Sequence, residues 1–298
     1  MRICVIFNPT AKGGKARQFR QFLDTIAPRC ALKLTRAPGA ARSLAAEAVR
    51  EGFGTIVAAG GDGTLNEVLN GIGDEPDGFF RARLAVLPLG TVNVFAKELG
   101  LPTRLPLVWE IIQRGREFVM DLPQVEFTGQ GRPQRRYFAQ LAGAGLDARA
   151  IELVDWEVKK RFAYLAYGLA VVKAWRETQS QITVSNGKTS AAGELVLIGN
   201  GRFYAGRFIV FPKANLRDGR LDVCVLPKLD WKTVAACAWG IVTRRLNRMR
   251  AVRHLQVETF SLTSPTRTSL EIDGERVGEL PARFSLQRAK LRVIVPKS

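Results

Sequence analysis

Apolar and polar positions follow one rhythm before Asp121 and another after it. In the first stretch, short apolar runs alternate with longer segments whose apolar residues recur every three or four positions. Residues 2–7, with Ile3, Cys4, Val5, Ile6 and Phe7, read as a buried strand, and 16–26 as an amphipathic helix. A short strand at 31–35 and an Ala-rich helix at 40–50 follow. Further strands are expected at 55–59 and 84–87. The first leads through a glycine-rich loop into a helix over 65–69, the second through a glycine turn into another helix. Such strand–loop–helix repetition predicts a parallel sheet covered by helices, with ligands beyond the carboxyl ends of the strands. After Asp121 the period shortens to two, with strands at 124–127, 137–141, 181–184, 194–198 and 221–226. Asn186-Gly187 and Asp218-Gly219 are hairpin-type turns. Helical stretches at 155–176 and 231–249 interrupt them. Two domains are expected, an α/β domain at 1–121 and a β-rich domain at 122–298, with no low-complexity linker between them.

Composition narrows the function classes. The 298 residues are 46% hydrophobic and 24% charged, which suits packed cores and excludes disorder. A single histidine, His254, leaves almost no room for a His-based zinc site. Cys4, Cys30, Cys224 and Cys237 form no CxxC pair and read as reduced core residues of a cytosolic protein. No apolar stretch approaches the ~20 residues that span a bilayer, so the chain reads as soluble. Its net charge is +18. Residues 1–121 carry 16 basic and 12 acidic side chains, the remainder 29 and 15, so most of the excess lies in the second part. A basic surface attracts nucleic acid, anionic lipid headgroups or phosphorylated small molecules.

Three glycine-rich loops follow three strands of the first domain. Asn8-Pro9-Thr10-Ala11-Lys12-Gly13-Gly14-Lys15 lets backbone N–H groups approach an anion, although it lacks the spacing of a P-loop. Gly60-Gly61-Asp62-Gly63-Thr64 sets a carboxylate and a hydroxyl among glycines, so that Asp62 can hold Mg²⁺ while amides hold phosphate. Pro88-Leu89-Gly90-Thr91-Val92-Asn93 offers a hydroxyl and an amide. Taken singly, each is an ordinary capped turn. Three at equivalent strand ends point to a nucleotide-phosphate site. In the second domain Asp273-Gly274-Glu275 reads as a hairpin turn with solvated carboxylates, or as a carboxylate pair of which one accepts a proton from a substrate hydroxyl.

Together these pieces resemble the diacylglycerol kinase-type lipid kinases, in particular the soluble bacterial ones. The resemblance rests on Asn8-Pro9, on Gly60 through Glu67 (GGDGTLNE), on Pro88 through Ala96 (PLGTVNVFA), and on residues 160–167. Gly199-Asn200-Gly201, Pro212-Lys213-Ala214 with Asp218-Gly219, and Asp273-Gly274-Glu275 complete it. It implies a phosphofructokinase- or NAD kinase-like nucleotide domain, which the last ~10 residues rejoin, and a β-sandwich domain, with the active cleft between them. It also implies ATP as donor, Mg²⁺, and a lipid hydroxyl as acceptor. By the same resemblance Asn8, Pro9, Thr35, Gly61, Asp62, Gly63, Thr64, Leu65, Asn66, Glu67 and Thr91 line the nucleotide. Asp62 joins the Mg²⁺–phosphate network, and Glu275 is the proton acceptor with Asp273 beside it. A separate structural Mg²⁺ matches Asp218, with Asn215 and Arg220 giving backbone carbonyls. One position departs from the pattern: the family usually reads GTxND, and Val94 stands in place of that aspartate.

A lipid acceptor brings a membrane with it. Trp231, Val234, Trp239, Ile241 and Val242 precede Arg244, Arg245, Arg248, Arg250 and Arg253, a composition suited to an anionic bilayer surface. The stretch 156–175 belongs to the same reading, as does a cytoplasmic, peripherally membrane-associated location. A homodimer is left open. The rival readings are an NAD kinase, which shares GGDGT, and a basic nucleic-acid-binding protein. Dispersed basic residues without a recognisable nucleic-acid motif argue against the last, so no nucleic acid is expected.

Overall fold

The computed structural model describes residues 2–10, 14–129, 131–145, 148, 180–206, 208–228, 230–243, 246, 249 and 252–297. The chain divides into two units: Met1–Leu122 with Gln287–Ser298, and Pro123–Leu286.

The first unit is built on parallel strands β1 (Ile3–Phe7), β2 (Ala31–Leu34), β3 (Thr55–Gly60) and β4 (Arg83–Pro88), in the order β2-β1-β3-β4. The end of β17 (Glu275–Val295) adds a parallel partner to β4, with Val293 opposite Leu84. Val5, Phe7, Val57, Ala59, Ala85 and Leu87 share one core with residues of α1 (Gly14–Ile26) and α6 (Leu105–Arg114). The alternate positions Cys4, Ile6, Ile56 and Ala58 are equally buried. Both faces are therefore covered, which is why these strands read as unbroken apolar runs. α2 (Ala40–Arg50) packs along α3 (Asp62–Asp74), and the short helices α4 (Gly78–Arg81) and α5 (Val94–Glu98) complete the unit.

α3 begins at Asp62 and runs to Asp74, where the sequence predicts only 65–69. Two residues beyond the expected helix are helical for physical reasons. A Cβ on Gly71 would collide with the Arg42 carbonyl of α2, so glycine is what lets the two helices approach. The Asn70 side-chain amide donates to the Asn66 carbonyl and to Asn66 Oδ1, at 2.9 and 3.1 Å, so this turn-former is satisfied inside the helix.

The second unit is antiparallel. β7 (Leu141–Gly145), β10 (Leu195–Gly199), β13 (Leu221–Leu226), β14 (Arg253–Val257) and β16 (Ser269–Ile272) run in the order β14-β13-β10-β7-β16, followed by the first part of β17. β15 (Thr259–Thr263), β8 (Ile182–Ser185) and β9 (Ser190–Gly193) continue from β17, and β5 (Arg116–Gly129) pairs with β6 (Arg132–Tyr137). Inward positions from both sets, including Val125, Ala142, Val196, Val223, Phe260, Leu262, Leu270 and Phe284, make one core, as in a β-sandwich. The opposite face of β10 and β13 is covered by α7 (Trp231–Val242) through Leu197, Cys224, Leu226 and Cys237.

Two expectations are corrected here. The strand foreseen at 137–141 is broken, with β6 ending at Tyr137 and β7 beginning at Leu141, because the amides of Ala139 and Gln140 bind a side chain instead of a ladder partner. The helix foreseen over 231–249 ends at Val242, where the Thr243 hydroxyl donates to the Trp239 carbonyl at 2.7 Å. The helical stretch foreseen at 155–176, and with it the motif at 160–167, lies outside the described residues.

Candidate nucleotide and catalytic residues

In the first unit the strand order reverses direction between β1 and β3, and ligands of open α/β sheets bind at such a switch point. The first two loops meet there. The Asn8 side-chain amide donates to Thr64 Oγ1 at 3.1 Å, and the Asn8 N–H donates to the Ala59 carbonyl at 3.0 Å. Asn8 Oδ1 accepts the N–H and hydroxyl of Thr10, which fixes the turn after Pro9. Residues 11–13 of that loop lie outside the described set. Thr35 is buried, its N–H bonded to the Phe7 carbonyl, so it stands beside the end of β1.

The third loop packs on the second through backbone. The N–H groups of Leu89 and Gly90 both donate to the Gly60 carbonyl, at 2.9 and 3.2 Å. A Cβ on Gly90 would lie 2.6 Å from the Gly61 Cα, and one on Gly60 would collide with Thr64. Asn93 sits at φ 51° as the first residue before α5, its amide donating to the Gly90 carbonyl at 2.7 Å. Thr91 is exposed in this loop. Val94 is buried in the first turn of α5.

Of the residues from Gly61 to Glu67, the structure separates two groups. Thr64, Leu65 and Asn66 are buried and hold the helix in place. Gly61, Asp62 and Gly63 are accessible at its N-terminus, which has glycine as its cap and no side-chain cap hydrogen bond. An uncapped helix start presents N–H groups and the positive end of the dipole to an anion. The Glu67 carboxylate is engaged by α2: its two oxygens accept the N–H groups of Gly39 and Ala41, each at 2.9 Å. It thereby caps α2, whose preceding Gly39 has φ 83° and no side-chain cap of its own.

In the second unit Asp273 and Gly274 have φ 46° and 83° and join β16 to β17, with Ile272 opposite Glu275. Positive φ at both central residues defines a type I′ turn, for which Asp-Gly is favoured. The two carboxylates are not alike. Glu275 is exposed, but Asp273 is only 8% exposed. Asp273 Oδ2 accepts the Ala139 N–H at 2.9 Å, and Oδ1 accepts those of Gln140 and Leu141 at 3.0 and 3.1 Å. The solvated pair read from the sequence is corrected to one solvated and one buried carboxylate. The sequence reading also misses Glu271, fully buried in β16, whose Oε2 accepts the Gly274 N–H at 3.0 Å. Its position between Leu270 and Ile272, in a strand buried on both faces, is the available signal. Asn200 of the Gly-Asn-Gly motif donates to the Ala139 carbonyl at 3.0 Å, so it clamps from the other side the segment that Asp273 holds.

Asn215, Asp218 and Arg220 lie in consecutive turns: the Asp218 N–H donates to the Asn215 carbonyl at 3.3 Å, and the Arg220 N–H to Asp218 Oδ1 at 3.0 Å. This is an all-oxygen donor set with one carboxylate. Among the described residues no cluster of three or more His, Cys, Asp or Glu side chains could hold a metal. Nearby Asp222 is pushed up to about 6, chiefly by burial and further by the Asp218 charge, against hydrogen bonds from Gln256 and the charge of Lys213. The folded state keeps this proton to higher pH than the unfolded chain, so the contribution to stability is present at low pH and is lost as pH rises from about 4 to about 6. Asp222→Asn, melted in EDTA, is therefore expected to gain in Tm relative to wild type at pH 8 compared with pH 4.5. An equal difference at both pH values contradicts the assignment.

Comparison with known proteins places the chain. Residues 2–125 match the diacylglycerol kinase catalytic domain, and residues 140–295, more than half the chain, match the YegS C-terminal NAD kinase beta sandwich-like domain. The chain belongs to the diacylglycerol kinase-type family of lipid kinases. It is 29% identical over 322 residues to the diacylglycerol kinase of Staphylococcus haemolyticus (strain JCSC1435), covering 100% of this chain and 89% of that protein. With the diacylglycerol kinase of Staphylococcus carnosus (strain TM300) it shares 27% over 315 residues, covering 99% and 95%. The crystal structure of a diacylglycerol kinase from Bacillus anthracis str. Sterne superposes with TM-score 0.70 at 18% identity, covering 99% of this chain and 96% of that one. Another structure from that organism reaches 0.80 at 21% identity, covering 99% and 95%. These structures share the fold. The lipid kinase takes a hydroxyl acceptor, and none of its described helices is long and apolar enough to cross a membrane.

The contact between Gly61 and Gly90 gives this kinase a sensitive point. Overpacking typically costs ~1–3 kcal/mol, and a methyl on Gly90 meets backbone, which cannot swing aside. Gly90→Ala is expected to weaken binding of a non-hydrolysable ATP analogue roughly tenfold to a hundredfold by calorimetry. Unchanged affinity contradicts a shared role for the two loops.

Proposed function

We propose that this lipid kinase transfers the γ-phosphoryl group of ATP to the hydroxyl of diacylglycerol or a closely related lipid, with Mg²⁺ as its metal. The observation that carries the reading is the start of α3 at the β1/β3 switch point, whose cap residue is glycine and contributes no side-chain hydrogen bond. Phosphate oxygens suit such a terminus, and the amides from Gly61 to Thr64 are assigned to them. Asn8, Pro9, Thr35 and Thr91 border the same strand ends. Asp62, in the first turn of α3, is the carboxylate assigned to Mg²⁺, which when bound neutralises charge on the phosphates. Val94, buried, adds no second carboxylate at the start of α5.

Phosphoryl transfer passes through a loose transition state, so catalysis is mostly positioning and electrostatics. An alcohol attacks well only as its proton leaves, and exposed Glu275 is assigned as the base that takes it. Asp273 and Glu271 are assigned to positioning, since they grip the turn that presents Glu275. The loop with Asn215, Asp218 and Arg220 supplies the oxygen donors a hard cation prefers and is assigned a structural Mg²⁺. Because a diacylglycerol-like acceptor stays in its bilayer, the kinase works at an anionic membrane surface.

The test is to mix the protein with Mg²⁺ and γ-labelled ATP and to offer a lipid extract or NAD. Label in the organic phase, on a product identified by mass spectrometry, is the expected result. Water-soluble label on NAD, or no transfer, refutes the proposal.

A further inference from the structure

The outward face of α7 has a composition that burial does not explain. Asp230 Oδ1 accepts the Thr233 N–H at 2.8 Å and starts the helix. Cys237, with Val234 beside it, packs on Leu197, Cys224 and Leu226 of the sheet. At Gly240 an added Cβ would lie 2.7 Å from the Met249 sulfur. That packing fixes which side of the helix faces out. Trp231, Ala235 and Trp239, spaced by four residues, form the outward stripe, and the two indoles are 65% and 70% exposed. Phe208, 38% exposed, is on β12 (Phe208–Ile209), which pairs with β11 (Phe203–Tyr204) and lies against α7. Two tryptophans left this bare along one face of a helix mark an interaction surface.

The charge of the stretch of sequence that carries α7 identifies the partner. Segment 202–253 holds twelve Lys and Arg against three Asp and Glu, a net +9 of the whole chain's +18. Lys232 is exposed on α7 itself, its ammonium 5.7 Å from the Trp231 ring. Lys228 is exposed just before the helix, and Arg253 where the chain returns to the sheet. Tryptophan is favoured at the level of lipid headgroups, with its ring body apolar and its N–H wet. Basic residues within a Debye length of an anionic leaflet add attraction. A second copy of the chain would bring like charge against like charge, which opposes association. At twelve residues, α7 is too short to span a bilayer and suited to lying on one.

We propose that the Trp231–Ala235–Trp239 stripe of α7, flanked by Phe208 and Lys232, is the face by which the kinase docks on an anionic phospholipid bilayer. This rests on the lipid-kinase reading for the location of its acceptor, but its contacts are separate from the residues assigned to chemistry.

The test compares the full-length wild type with W231A/W239A and with W231F/W239F. Co-sedimentation is measured with vesicles of phosphatidylglycerol and phosphatidylcholine, and with phosphatidylcholine alone. Transfer is assayed on long-chain diacylglycerol in the mixed vesicles and on a short-chain diacylglycerol dispersed in water. Wild type is expected to bind the mixed vesicles and to be released by about 0.5 M salt, where screening shortens electrostatic reach. The alanine pair should bind at least tenfold more weakly and the phenylalanine pair in between, with melting unchanged. Transfer to the vesicle substrate should fall in step with binding, and transfer to the short-chain substrate should stay within twofold. Binding of the alanine pair within twofold of wild type, equal wild-type binding to neutral vesicles, or no wild-type binding overturns the docking face. Conversion of a dimer to a monomer by the alanine pair, with vesicle binding intact, also overturns it. Loss of vesicle binding without transfer to either substrate in wild type leaves the docking face standing and removes the kinase reading instead.

Discussion

Glu275→Gln will leave ATP binding and melting temperature close to wild type and lower turnover roughly 10²–10⁴-fold, the usual worth of a general base. Glutamine keeps the size and the hydrogen-bonding reach of the side chain but cannot take a proton. Glu275 is exposed, so the substitution leaves the packed core untouched. Its place is set by its neighbours: the type I′ turn at Asp273-Gly274 puts it opposite Ile272 as the first residue of β17. The change should therefore touch chemistry alone. Initial rates at saturating ATP, with calorimetric binding of an ATP analogue, separate the two effects. Turnover within threefold of wild type means that another group removes the proton.

Asp273→Ala should show the reverse signature, a loss of stability. Its carboxylate accepts three backbone N–H groups in a buried segment, across more than 130 residues of sequence. Removing it leaves those donors without their acceptor, and a buried unsatisfied group costs ~1–3 kcal/mol. Partial rearrangement brings the expected total to roughly 3–5 kcal/mol. For a unit of this size that is a fall in Tm on the order of 10 °C. Asp273→Asn, which retains one acceptor oxygen, should fall in between. A melt of the alanine variant within 2 °C of wild type would falsify the structural assignment and return Asp273 to the chemistry.

Much of the fold was legible because it is local. The helix at 40–50 and the strand at 221–226 coincide with α2 and β13, since an Ala-rich amphipathic run and a short, mostly apolar run with alternating valines at 223 and 225 each specify one state. Asn186-Gly187 and Asp273-Gly274 mark real hairpins for the same reason. What escaped the sequence depends on contacts between distant segments. The helix expected at 65–69 leaves out Gly63 and Gly71, yet α3 passes through both, and the second is required by the closeness of α2. Glu67 gave no sign that it caps a helix 26 residues earlier. The break at 138–140 is created by Asp273, which no pattern near Tyr137 announces. For the candidate site, composition and spacing brought out the glycine loops, and the Asn8–Thr64 hydrogen bond joins the first two of them. The sequence could not divide Gly61 to Glu67 into residues that face outward and residues that hold the helix, because that division is set by packing.

The central claim is that the start of α3 grips the triphosphate. Backbone amide NMR shifts, recorded as Mg²⁺ and a non-hydrolysable ATP analogue are added, test it most directly. The largest changes should fall on Gly61, Asp62, Gly63 and Thr64, with smaller ones at Asn8, Thr35 and Thr91. Saturable binding that leaves these amides unmoved and shifts strands of the second unit instead would contradict the account.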